Sequence, residues 1–108
     1  MREETKYNKL IRDKIPEIIE KQGKIAETTV IESEKEYRTR LMAKLKEEVM
    51  EYYNSGDPDE IADILEVLYT LIDKVHNMSV LEIEKTRLKK QKERGGFEKR
   101  LVLKRVWE

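Results

Sequence analysis

No cysteine occurs among the 108 residues, which excludes disulfides, a thiolate nucleophile and a Cys-type zinc site. The one histidine, His76, has no partner at a triad-like spacing and reads as structural. Aromatic residues make up 6% of the chain and hydrophobic residues 38%, so one copy has a thin core that a further subunit would complete. No apolar run approaches the ~20 residues of a membrane span. The opening MREETKYNK lacks the apolar region of a signal peptide, so the expected compartment is the cytoplasm. There is no glycine-rich phosphate loop of the Walker or Rossmann kind, and no internal repeat. The most informative absence is local: from Glu47 to Ile72 there is no Lys or Arg, against eight acids.

Elsewhere the charge is balanced, with 23 Lys and Arg against 23 Asp and Glu, 43% of the chain in all. That balance argues against a disordered polyelectrolyte and, with a pI near 6.6, against nucleic acid as the partner. The length suits one domain, residues 1–108.

The acid-rich stretch reads as two helices and a tight turn. Leu41, Leu45, Val49 and Tyr52 recur at helical spacing up to Asn54-Ser55-Gly56, and Ile61, Ile64, Leu65, Leu68, Leu71, Ile72 and Val75 resume it after Asp57-Pro58. Gly56 suits the position past a helix end, Asp57 an N-cap and Pro58 the first helical position. So short a turn makes the helices antiparallel neighbours.

Glu48 and Glu51 then share a face near the end of one helix, and Glu60 and Asp63 a face near the start of the next, at one level of the hairpin. Leu41, Leu45, Glu48 and Tyr52 follow a 4-3-4 spacing, so Glu48 fills a slot that should be apolar; Glu60 and Asp63 likewise begin a stripe continued by Val67 and Leu71. Acids in core slots are costly unless paired or metal-bound. The bland account, capping by Asp57-x-x-Glu60 and solvated helix faces, covers each acid singly but not Glu48 and Glu51 together. Four carboxylates without His or Cys make an all-oxygen site, suited to Mg²⁺ or Mn²⁺ over Zn²⁺.

Glu47-Glu48-x-x-Glu51 followed by Glu60-x-x-Asp63 resembles the EExxE…ExxD signature of the MazG-like all-α nucleoside triphosphate pyrophosphohydrolases. The segment Tyr7-Asn8-Lys9-Leu10-Ile11-Arg12-Asp13-Lys14-Ile15-Pro16-Glu17-Ile18-Ile19 and the later Lys90-x-x-x-Arg94-Gly95-Gly96-Phe97 look like the flanks of one small branch of that family. The chain departs from it in the gap between the half-motifs, eight residues here, which leaves little room for a substrate-covering loop. The resemblance implies Mg²⁺-dependent hydrolysis of a nucleoside triphosphate between the α and β phosphates. In that reading Glu48, Glu51, Glu60 and Asp63 hold the metal, and Glu47, one residue off their face, orients the water. Lys90 and Arg94 meet the phosphates, with Lys9, Arg12 and Lys14 behind them.

Away from the hairpin, Pro16 opens a short helix through Lys21, stopped by Gly23, and Ser33-x-x-Glu36 starts the helix that carries the first acids. Ser79-x-x-Glu82 opens another that lasts to about Arg94 and turns basic, with nine bases and two acids from Thr86 to Arg105. Residues 25–31 and 99–106 are β-rich and are expected to pair as a short two-stranded element. The expected fold is therefore mainly α, a helical hairpin with flanking helices, assembled as a homodimer or homotetramer. The rival reading is a non-enzymatic helical module whose acidic and basic surfaces pair between subunits or with a partner protein.

Overall fold

A computed structural model describes residues 3–108 and is mainly helical. The elements are α1 (Ile15–Lys21), α2 (Glu34–Ser55), α3 (Asp59–Thr70), a π-helical turn (Leu71–Val75) and α4 (Val80–Arg94). The chain divides into two compact units, Met1–Leu71 and Ile72–Glu108.

In the first unit α2 begins and ends on local signals, and α3 begins on one. The Ser33 hydroxyl accepts the Glu36 N–H at 3.2 Å and opens α2. Gly56 closes it in the left-handed region (φ 66°), its N–H donating to the Tyr52 carbonyl at 2.8 Å. A side chain at that φ would be strained. Asp57 then accepts the Asp59 N–H at 2.9 Å through Oδ1 and the Glu60 N–H at 3.0 Å through its carbonyl, while Pro58 is already helical. Asp57 is thus the working cap of α3, and α2 and α3 pack against each other as a hairpin.

The hairpin core is small. Among the described residues the buried hydrophobic side chains are Leu41, Val67 and Leu71, each contributing roughly 1.5–3 kcal/mol. Leu41 belongs to the stripe that continues to Glu48, and Val67 and Leu71 continue the stripe begun by Glu60 and Asp63. A second set of apolar residues faces outward: Ile61, Leu65 and Tyr69 at every fourth position of α3, and Met42, Val49 and Tyr53 on α2. One hairpin cannot cover both stripes.

In the second unit the Met78 N–H reaches the Ile72 carbonyl at 2.9 Å, with Asn77 left-handed at φ 53°. That closure is one residue wider than a Schellman ending, as suits a π-helical turn. Ser79 accepts the Glu82 N–H at 3.1 Å and starts α4, which buries none of its residues.

The expected β pairing is corrected: neither 25–31 nor 99–106 is a strand among the described residues. Arg100 is left-handed (φ 60°) and donates its N–H to the Phe97 carbonyl at 3.2 Å, so a turn breaks the start of the second segment. Ile25, Val30 and Leu101 to Leu103 remain exposed. β-branched and aromatic residues favour a strand through packing on neighbours, and without them their propensity yields no ladder.

Candidate metal centre

The last turns of α2 and the first two turns of α3 bring five acids together. Glu47, Glu48 and Glu51 form one group, and Glu48, Glu60 and Asp63 a second; within each group, one carboxylate oxygen per residue lies within 4.8 Å of the others. Glu48 belongs to both. It is the one buried charged residue among those described, 8% exposed, and its Oε2 is buried without a hydrogen-bond partner.

This placement follows from the helix repeat. Glu48 lies seven residues after Leu41, two turns along the same stripe, so the geometry that buries Leu41 also buries Glu48. A charge held there is costly unless something compensates it. Lys44, one turn earlier, approaches Glu48 Oε1 at 3.5 Å and Glu47 Oε2 at 3.4 Å. Oε2 of Glu48 is left buried with no hydrogen-bond partner.

The proton affinities follow this geometry. Burial, and then the neighbouring Glu51 carboxylate, push the Glu48 carboxyl up, with Lys44 opposing. Glu60 is also raised, first by desolvation and then by Asp63, Glu48 and Asp57. Glu47 moves the other way: desolvation acts to raise it, but the ammonium groups of Lys44 and Lys9 together outweigh that and hold it below its ordinary value. Two acids therefore resist ionisation, while a third beside them is readily ionised.

The oxygen-only donor set and the orphaned buried Oε2 fit a hard divalent cation such as Mg²⁺ or Mn²⁺. Of the basic residues singled out in the sequence, two lie on this centre. Arg12 Nη2 donates to Asp63 Oδ1 at 2.7 Å and Lys9 Nζ lies 3.4 Å from Glu47 Oε1. Lys14 is exposed at the start of α1 and makes no side-chain ion pair among the described residues. Lys90 and Arg94 are exposed on α4, which belongs to the second unit.

Two residues at this centre were not expected from the sequence, Lys44 and Arg40. Lys44 lies just before the base-free stretch, and its spacing of three and four residues from Glu47 and Glu48 is the signal that marks it. Arg40 has a local partner in Glu36, four residues earlier at 3.4 Å, but the contact that sets its position is remote in sequence: its guanidinium donates to the carbonyl and the Oδ1 of Asn8, both at 3.0 Å. Comparisons with protein families, curated proteins and solved structures return no match for this chain.

Proposed function

We propose that the chain is a Mg²⁺-dependent nucleoside triphosphate pyrophosphohydrolase, releasing a nucleoside monophosphate and pyrophosphate. The observation that carries this reading is the Glu48 carboxylate, buried, shared by two acid groups and left with an unpartnered oxygen. The sequence resemblance supplies the reaction class; the geometry supports it by grouping three of the four ligand positions, Glu48, Glu60 and Asp63, while Glu51 groups with Glu48 and Glu47.

Glu48, Glu51, Glu60 and Asp63 are the residues to hold the ion, and Mg²⁺ bound there would offset phosphate charge and lower the pKa of a coordinated water. Glu47 is suited to the remaining task. Lys44 and Lys9 keep it ionised, so it can accept a hydrogen bond from the attacking water and then its proton. Water adds across the α–β anhydride, the bond to the leaving pyrophosphate breaks, and the proton rests on Glu47 Oε1 or Oε2. Arg12 and Lys9, on the rim of the acids, and Lys14, Lys90 and Arg94 are assigned to the phosphates.

The same reading includes assembly as a homodimer or homotetramer, supported by the outward apolar stripes of α2 and α3. Light scattering at micromolar concentration is expected to give two or four copies; a monomer would remove that part. The activity is tested with a panel of nucleoside triphosphates assayed for pyrophosphate release with Mg²⁺ and with EDTA. Monophosphate and pyrophosphate in equal amounts, abolished by EDTA, are expected. Release of orthophosphate alone would reject cleavage between the α and β phosphates; no hydrolysis of any triphosphate would reject the reading in favour of a non-enzymatic helical module, which should also gain no thermal stability from Mg²⁺.

A further inference from the structure

Beside the acids lies a cavity of about 100 Å³, between the segment preceding α1 (Asn8, Lys9, Leu10) and the middle of α2 (Arg40, Lys44, Glu47). Three of those side chains are cations and one is an acid. We infer that this cavity is an oxyanion site for a single phosphate group, the end of the polyphosphate chain whose other phosphates lie toward the carboxylates. The inference deepens the hydrolase reading and rests on it for the identity of the anion.

The cavity is a small cleft, partly open to solvent, with room for a phosphate group beside its cations. The wall is also built with different degrees of freedom. Arg40 is clamped by two hydrogen bonds to Asn8 and by Glu36 at 3.4 Å, so its guanidinium is a fixed donor plane. Lys44 is mostly buried, its side chain 17% exposed, so its charge depends on a partner inside the protein.

The existing partner is loosely held and in demand elsewhere. Glu47 is divided between Lys9 and Lys44 at 3.4 Å each, longer than the about 2.7–2.9 Å of a strong charge-assisted bond. Glu47 and Glu48 are also members of the acid groups. A divalent ion held by Glu48 competes with Lys44 for that carboxylate, 3.5 Å away, and a mostly buried cation short of counter-charge is costly. A phosphate in the cavity restores the balance. Cation and anion therefore bind cooperatively: each supplies the charge that the other removes.

Isothermal titration of the full-length chain tests this with two probes, MgCl₂ alone and inorganic pyrophosphate in excess MgCl₂. Lys44→Gln and Arg40→Gln should each weaken pyrophosphate binding about ten- to a hundredfold, the loss of one charge-assisted contact. Lys44→Gln should at the same time tighten Mg²⁺ binding measured alone, because Glu47 and Glu48 lose a competing cation; a merely structural lysine would not have that effect. Retained Mg²⁺ binding shows that each variant still forms the hairpin. If a variant loses Mg²⁺ binding as well, Lys44→Arg and Arg40→Lys, which keep the charge, decide: pyrophosphate affinity restored with them supports the site, and affinity still lost overturns it. Parent-like pyrophosphate affinity in both glutamine variants overturns the oxyanion site and leaves the metal centre standing. A parent that binds pyrophosphate through Lys44 and Arg40 in EDTA but never binds Mg²⁺ does the reverse.

Discussion

Glu48 and Arg94 each stand in a dense run of like charge, yet they are held in opposite ways. Glu48 is buried on the inner face of the α2–α3 hairpin, beside Glu51 and within reach of Glu60 and Asp63. Arg94 is at the exposed end of α4, a helix with no buried residue, where the Glu84–Arg87 pair also lies in solvent. Charge density in a sequence is therefore a poor guide to chemistry. What separates the two regions is whether the helical repeat carries the charge onto the apolar stripe, because only there does desolvation create an energetic demand that a ligand can meet.

Removing the acids breaks the comparison most strongly. Glu48→Gln, Glu51→Gln, Glu60→Gln and Asp63→Asn should each lower Mg²⁺-dependent turnover by more than about a hundredfold, the range reached even by mutating outer partners of a metal ligand. In metal-free buffer Glu48→Gln should raise the melting temperature, since it removes a repulsion of roughly one to a few kcal/mol per close pair. Parent-like turnover in any two of these variants would remove the metal assignment.

A smaller effect is expected from the basic helix. Lys90→Ala and Arg94→Ala should weaken triphosphate binding about ten- to a hundredfold and leave Mg²⁺ affinity without nucleotide unchanged. Unaltered nucleotide binding would make that end of α4 a solvated helix terminus and nothing more.

The pH dependence of metal-free stability sharpens the contrast within the acids themselves. Glu48 and Glu60 bind protons more tightly folded than unfolded, so their stabilising contribution is complete below the ordinary value of 4.5 and is lost as pH rises through their folded values. Glu47 behaves oppositely: its contribution is present above 4.5 and lost as pH falls through its lowered value. Thermal melts in EDTA from about pH 4 to about pH 8 should therefore show Glu48→Gln gaining on the parent as pH rises. A constant difference would mean that Glu48 titrates normally. The smallest effect should come from Arg87→Ala, which breaks an exposed pair on α4 and should leave the melting temperature unchanged.

Much of the hairpin was legible in the sequence because its signals are local. Ser33, Gly56 and Asp57 each act within a few residues, and the 4-3-4 spacing that puts Glu48 in an apolar slot is a property of one helix. The cap shared by Asp57 and Pro58 differs from the sequence expectation by no more than where a helix is said to begin. The β pairing was not recoverable, because a strand is decided by its neighbours and the turn at Arg100 has no strong residue signature. Arg40 was missed for a related reason: its clamp on Asn8 spans 32 residues of chain, and no periodicity reports a contact of that kind.

With only eight residues between the half-motifs, the Gly56 to Pro58 turn also bears on the order of folding. Contacts closed by so short a segment form in about a microsecond or less, well before those that need a long loop to close. Closing that turn brings the acids together, and their repulsion opposes the step that makes the hairpin. If the hairpin is formed in the folding transition state, an ion held by Glu48, Glu60 and Asp63 would speed folding while changing the unfolding rate little. For such a chain the supply of divalent cation would set how fast the protein is made ready, more than how long it lasts.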